Sequence, residues 1–287
     1  MGEKIGMWSQ MVGTPLRQYY INANGIRTRI LEAGEGEPLI FIHGTGGHLE
    51  AYARNISGLS ENFRVIAYDM VGHGFSDKPD RPYTIDYLSD HLISVAKGLG
   101  LETFSLSGES LGGWVAAWTA AHHPEFVNKL ILNTPGNITN KLEVMKQVKD
   151  STVKAVMEAT YENVRTRLEW LFHDKGFVTD ELIAIRYKIY TQPEFKKAVH
   201  HIVCLQDWDI RKDFAWGPEW CGQIKSPTLL LWTDNDPTGT LEEAQLLKSW
   251  IPGSMLYVIG DAGHWPQWEK AGEFNDIHRT FIREGSY

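Results

Sequence analysis

Gly108-Glu109-Ser110-Leu111-Gly112-Gly113 is the stretch that decides the fold. It follows a short apolar, β-prone run, Thr103-Phe104-Ser105-Leu106-Ser107, and precedes Trp114 to Ala121, which has helical character. A serine on so tight a strand-to-helix turn adopts a strained backbone that pushes its Oγ out toward a substrate. Glycines two residues to either side of Ser110 remove the side chains that would clash in such a turn. Leu111 then points its N–H from a helix N-terminus, where negative charge is favoured. The stretch predicts a nucleophile and half of an oxyanion hole. Because G-x-S-x-G also arises by chance in glycine-rich loops, an acid and then a histidine must follow for the reading to hold.

Upstream, Gln18 to Asn22 and Ile26 to Ala33 read as two strands around the Asn24-Gly25 turn, a hairpin signal. Leu39-Ile40-Phe41-Ile42 is a continuous apolar run suited to a strand buried on both faces of a parallel sheet. It ends in His43-Gly44-Thr45-Gly46-Gly47-His48, a loop whose backbone N–H groups can approach a ligand and supply the other half of an oxyanion hole. Phe63 to Tyr68 predicts another buried strand, and Asp69 and Asp77 after it read as turn-fixing acids. Tyr83 to Leu99 is an amphipathic helix stopped at Gly100. Lys129 to Asn133 is the next strand, and the alternation implies a doubly wound, mostly parallel α/β sheet with its site at the carboxyl ends of the strands.

From Ile138 to Lys225 the pattern changes to helical and aromatic-rich. The expected organisation is an α/β core over 1–137 and 226–287, with an inserted helical cap over 138–225 that closes an apolar pocket above Ser110. Most of the cap's aromatic residues should be packing. Strand character returns at Pro227 to Trp232 and at Met255 to Ile259, and a closing helix runs from about Gln267 to Arg283. Asp236 and His264 each sit in a loop directly after one of these late strands, at the same sheet edge as Ser110. A serine hydroxyl needs a base to take its proton, and the base needs a carboxylate to fix its tautomer. The order Ser110, Asp236, His264 meets that need. Asp234 is the neighbouring alternative acid.

Bulk properties narrow the function. A net charge of −8 argues against nucleic acid or an acidic membrane as partner. Cys204 and Cys221 have no zinc-type spacing, which fits a reducing, cytoplasmic setting, and Met1 to Leu16 lacks the pattern of a signal peptide. The eleven histidines include no H-E-x-x-H, so neither a metal nor another cofactor is expected. The expected partner is a small-molecule substrate, with assembly as a homo-oligomer, a dimer or larger.

With these motifs in place the chain resembles the α/β-hydrolase superfamily over nearly its whole length. More narrowly, it resembles the carbon–carbon bond hydrolases of aromatic meta-cleavage pathways. The cues are Gly263-His264-Trp265-Pro266-Gln267-Trp268-Glu269 with Glu273-Phe274-Asn275, and the cap segment from Thr179-Asp180-Glu181-Leu182 through Arg186 to Gln192-Pro193-Glu194. The resemblance implies that Trp265 lines the pocket and that Arg186 contacts the oxo-acid end of the substrate. A planar guanidinium suits a 2-oxo carboxylate. It implies backbone N–H groups of Thr45 and Leu111 as oxyanion donors, with Gly44, Gly46 and Glu109 beside the substrate. The implied reaction converts a 2-hydroxy-6-oxo-dienoate to a 2-hydroxydienoate and a carboxylic acid. Two departures stand out: Glu109 occupies a position where that family usually has asparagine, and the glycine loop lacks its usual proline. A carboxylesterase or lactonase would use the same machinery, and a ligand receptor could retain it with little turnover. Ser110 excludes haloalkane dehalogenases and epoxide hydrolases, which need a carboxylate nucleophile.

Overall fold

Eight strands form one sheet in the order β1-β2-β4-β3-β5-β6-β7-β8 in the computed structural model, which describes residues 6–287. The strands are β1 (Leu16–Ala23), β2 (Ile26–Ala33), β3 (Pro38–Ile42), β4 (Arg64–Tyr68), β5 (Phe104–Glu109), β6 (Val127–Asn133), β7 (Thr228–Thr233) and β8 (Met255–Ile259). β1 pairs antiparallel with β2 and β2 with β4, and every other pair is parallel. The first five residues of the expected 1–137 segment lie outside the described residues. The Asn24-Gly25 hairpin forms as expected, both residues having positive φ (52° and 88°).

The runs Leu39–Ile42, Val65–Tyr68, Leu130–Leu132 and Leu229–Trp232 are fully buried, as strands covered by helices on both faces must be. β3 lies between β4 and β5, so strand order reverses there, and such a switch point opens a crevice at the carboxyl ends. Register makes this local. Ile42 pairs with Gly108, so the glycine loop and the Ser110 turn leave the sheet side by side. Thr233 pairs with Ile259, which launches the loops carrying Asp236 and His264 together in the same way.

Helix Ile85–Gly98 starts two residues later than its apolar pattern predicts, because Thr84 is extended and Tyr83 packs inward. Between β6 and β7 the chain forms helices only, among them Leu142–Met157, Tyr161–Glu169, Asp180–Tyr190 and Pro193–Ile202. Of the aromatic residues in this segment, Phe172, Tyr190 and Trp216 are buried, whereas Tyr161 and Trp208 are half exposed. The expected single closing helix is two, Pro266–Glu269 and Ala271–Glu284. Lys270 leaves the helical region (φ −125°, ψ 44°). The Glu269 carboxylate instead accepts the N–H groups of Gly263 (2.8 Å) and Asp174 (2.9 Å), which pins the first short helix to the preceding loop.

Candidate active site

Ser110 sits at the elbow with φ 56° and ψ −119°, a conformation that costs a non-glycine residue strain. Close packing holds it there. A Cβ on Gly108 would meet the Gly112 carbonyl oxygen at 2.1 Å, and one on Gly112 would meet the Ile42 carbonyl oxygen at 2.1 Å. Helix Leu111–His122 starts at once, so the Leu111 N–H belongs to the first turn and has no intrahelical acceptor.

His264 Nδ1–H donates to Asp236 Oδ1 at 2.9 Å. The same oxygen accepts from the backbone N–H (2.8 Å) and the hydroxyl (2.9 Å) of Thr238, whose Oγ1 also lies 3.0 Å from His264 Nδ1. Asp234 does other work. It faces solvent and accepts from the backbone N–H groups of Asp261 and Ala262, so it ties the two late loops together. The His264 loop is further held by Thr134 Oγ1 on the His264 carbonyl (3.0 Å) and Thr233 Oγ1 on that of Gly263 (2.8 Å).

On its other side, His264 Nε2 lies 3.2 Å from Glu109 Oε1, and among the described residues no hydrogen bond joins it to Ser110. Glu109 is buried, and its Oε2 has no partner among the described residues. Burial alone would depress the His264 pKa. The charge of Asp236, the hydrogen bond to it and the adjacent Glu109 outweigh burial and push the imidazole up to about 10. His264 is therefore an imidazolium between two carboxylates at neutral pH.

These groups meet at one cleft that opens to solvent. Gly44, Thr45, Glu109, Ser110, Leu111, Arg186, His264 and Trp265 line it, and Asp236 stands behind His264. The structure thus brings together all but one of the residues singled out in the sequence. The exception is Gly46. Its φ of +66° turns the chain away, and its carbonyl accepts the Tyr190 hydroxyl at 3.0 Å; Gly47 lines the cleft in its place. Gly44 must be glycine, since a Cβ there would meet Glu109 Oε2 at 2.7 Å and Ser110 Cβ at 2.9 Å. His43 is buried, accepts from Met70 N–H at Nε2 (3.1 Å) and donates from Nδ1 to the Gly44 carbonyl (2.9 Å), fixing the start of the glycine loop.

Arg186, only 1% exposed, comes down from helix Asp180–Tyr190 with its guanidinium 5.1 Å from the Trp265 ring. Its Nε and Nη2 have no hydrogen-bond partner among the described residues. Sequence reasoning missed Thr238, Tyr190 and Arg167. Thr238 was the findable one, because a threonine two residues after an aspartate commonly closes a turn onto that carboxylate. Among the described residues no cluster of three or more His, Cys, Asp or Glu side chains is placed to hold a metal ion. No helix of the described residues is long and apolar enough to cross a membrane.

The chain belongs to the alpha/beta hydrolase fold family, whose model matches residues 37–271. Within it, the chain is similar to enzymes that act on the products of aromatic ring meta-cleavage. It is 30% identical over 272 residues to a 2-hydroxymuconate semialdehyde hydrolase of Pseudomonas sp. (strain CF600), covering 92% of this chain and 93% of the relative. It is 31% identical over 270 residues to a 2-hydroxy-6-oxo-6-phenylhexa-2,4-dienoate hydrolase of Comamonas testosteroni, covering 88% and 90%. Among solved structures, a meta-cleavage product hydrolase from Pseudomonas fluorescens IP01, complexed with acetates, superposes with a TM-score of 0.81 at 30% identity. That match covers 93% of this chain and 98% of the other.

Proposed function

We propose that this protein is a serine-dependent hydrolase that cleaves a C–C bond in a 2-hydroxy-6-oxo-dienoate, giving a 2-hydroxydienoate and a carboxylic acid. The observation that carries this reading is the unpartnered Nε/Nη2 edge of Arg186 in the same cleft as Ser110 and the His264–Asp236 pair. That edge presents two parallel N–H bonds, the geometry a carboxylate takes. With the acid end held there, the dienol tautomerises to a ketone, and His264 moves the proton. Ser110 or a water then adds to the distal carbonyl, and the Thr45 and Leu111 N–H groups donate to the oxyanion. Collapse breaks the C–C bond, freeing the acid where water added, or leaving an acyl-serine that a water then hydrolyses to the acid where Ser110 added. Segment 138–225 acts as the cap that excludes water, and the enzyme works as a cytoplasmic homo-oligomer.

A carboxylesterase or lactonase is the second reading, favoured by one feature, the Glu109 carboxylate beside the nucleophile. A free carboxylate there would repel an anionic substrate, but Glu109 is turned onto His264. Mixing the protein with a yellow ring-fission product and following its visible absorbance, beside a short p-nitrophenyl ester, separates the two. Bleaching that Ser110→Ala slows by about a thousandfold or more is the expected result. Ester turnover without bleaching would leave the esterase.

A further inference from the structure

Three arginines reach the cleft from the helical segment, and they differ in what they hold. Arg211 is fully engaged. Its Nε donates to Asn140 Oδ1 (2.6 Å), Nη1 to the Leu205 carbonyl (3.2 Å) and Nη2 to the Asn137 carbonyl (2.9 Å). It braces a loop whose Asn137 and Asn140 both have positive φ. Arg167, on helix Tyr161–Glu169, is 5% exposed, and its one hydrogen bond among the described residues is a long contact from Nε to Thr152 Oγ1 (3.4 Å). Its Nη1 has no partner among the described residues, as is true of Nε and Nη2 of Arg186.

Buried cations without carboxylate partners are strongly unfavourable, and a second of like sign nearby adds to the cost. Burial, with the charge of Arg186 acting in the same sense and Tyr190 and Glu109 only partly opposing it, lowers the Arg167 pKa to about 10, which still leaves it charged at neutral pH. Stability does not explain this pair, whereas an anionic ligand in the cleft does. The donor count indicates which kind. Two donors share one edge of Arg186, and Arg167 adds a third. A 2-oxo acid head presents three oxygens, two on the carboxylate and one on the adjacent carbon.

We propose that Arg167 is a further substrate-binding residue, holding the 2-oxygen beside the carboxylate clasped by Arg186, so that the site selects 2-oxo or 2-enol acids over plain carboxylic acids. This rests on the carboxylate role given to Arg186 above. It has a consequence for the reaction. When the tetrahedral adduct collapses, the electron pair of the breaking C–C bond passes along the conjugated chain to the 2-oxygen, the carbonyl carbon leaves as the acid or as an acyl-serine that water hydrolyses, and a proton completes the enol product. A guanidinium at the 2-oxygen takes up that developing charge.

Binding tests this without any turnover. Calorimetric titration of the full chain with 2-oxovalerate and with valerate should show the oxo acid bound about tenfold more tightly, the worth of one hydrogen bond to a charged donor. Arg167→Met should bring that ratio close to one by weakening the oxo acid about tenfold more than valerate, and Arg186→Met should weaken both acids. The melting temperature of Arg167→Met should equal or exceed that of the parent protein, since an unpartnered buried charge has been removed. Equal binding of the two acids by the parent, or equal weakening of both by Arg167→Met, overturns the proposal. Should the methionine variant not fold, Arg167→Leu, which likewise removes the charge and the donors, is read the same way, and an unchanged ratio overturns the proposal. If the ratio behaves as expected but ring-fission products are not cleaved, the C–C hydrolase reading fails and the oxo-acid cradle stands. Cleavage without the ratio overturns the cradle and leaves the C–C hydrolase in place.

Discussion

Glu109 is the residue on which the chemistry of the free protein turns. It stands 3.2 Å from His264 Nε2, the nitrogen that accepts a proton in the proposed reaction, and it shares with Asp236 the task of keeping that imidazole charged up to about pH 10. A base works only when deprotonated, so kcat/KM should rise with pH across the neutral and alkaline range. Glu109→Gln removes one of the two carboxylates and leaves Asp236 in place, so the acid limb of the kcat/KM profile should move down by about one pH unit or more. An acid limb that stays where it was would sink this account. The presence of Glu109 is legible in the sequence, but its partner is not. Strand alternation places neighbouring side chains on opposite faces, yet at the elbow the chain turns and both Glu109 and Ser110 enter the cleft. Arg167 escapes sequence reasoning for a related reason. An arginine on a helix of charged and apolar residues reads as a solvated face, as its neighbour Arg165 is, and only the packing of that helix turns Arg167 inward.

At the scale of the element, the β5–elbow–helix unit is the most legible part of the chain, because its sequence is dictated by contact. Gly108 and Gly112 each have backbone oxygen 2.1 Å from where a Cβ would stand, a distance no small adjustment relieves. Gly112→Ala should therefore destabilise the protein by about 3 kcal/mol or more, or prevent folding, as read by denaturant unfolding. Gly272, in the first turn of helix Ala271–Glu284, has nothing within 4 Å of its Cβ position. Gly272→Ala should be stabilising by about 0.5 kcal/mol. Similar effects at the two sites would show that conformational freedom, rather than packing, governs both. The buried strands can be read from the sequence closely because apolar runs of that length between turn signals have few alternatives. The break at Lys270 cannot, since apolar residues continue at helical spacing across it and the cause lies in a carboxylate bonding backward to Gly263 and Asp174. Asp236 can be ranked above Asp234 from the sequence, but only the loop geometry shows what Asp234 does in its place.

Across the whole molecule, the histidines make stability depend on pH in two opposed ways. His43, His73, His91 and His278 are buried and neutral, and burial lowers each pKa from 6.5 to about 3. All four are fixed in position by the fold, His73 through a hydrogen bond between Nδ1 and the Val71 carbonyl at 3.1 Å. His43 accepts from Met70, His91 Nδ1 accepts from the Val71 N–H at 3.1 Å, and His278 joins Ser107 to the Phe274 carbonyl, each contact 2.8 Å. For each of the four, the unfolded chain takes up a proton below pH 6.5 that the folded chain refuses until about pH 3. Stability is thus present above 6.5 and is lost as the pH falls, at about 1.4 kcal/mol per pH unit per group. His264 runs the other way: its raised pKa contributes stability that is full below 6.5 and is lost as the pH rises through about 10. Well below 6.5 it is protonated in both states and does not offset the others. The four buried groups together then give a loss of about 5.6 kcal/mol per pH unit, against a total stability for a domain of about 5–15 kcal/mol. Urea unfolding at a series of pH values should therefore show a steep fall between about pH 6 and 4.5. Toward alkaline pH the decline due to His264 should be gentler, one proton's worth between its unfolded and folded pKa values. Replacing His278 with Gln, which can still bond to Ser107, should flatten the acid slope by about one proton's worth. A stability that stays level from about pH 7 to 5 would mean that the buried histidines protonate within the folded state, and that the sheet's helical layers open more readily than their packing implies.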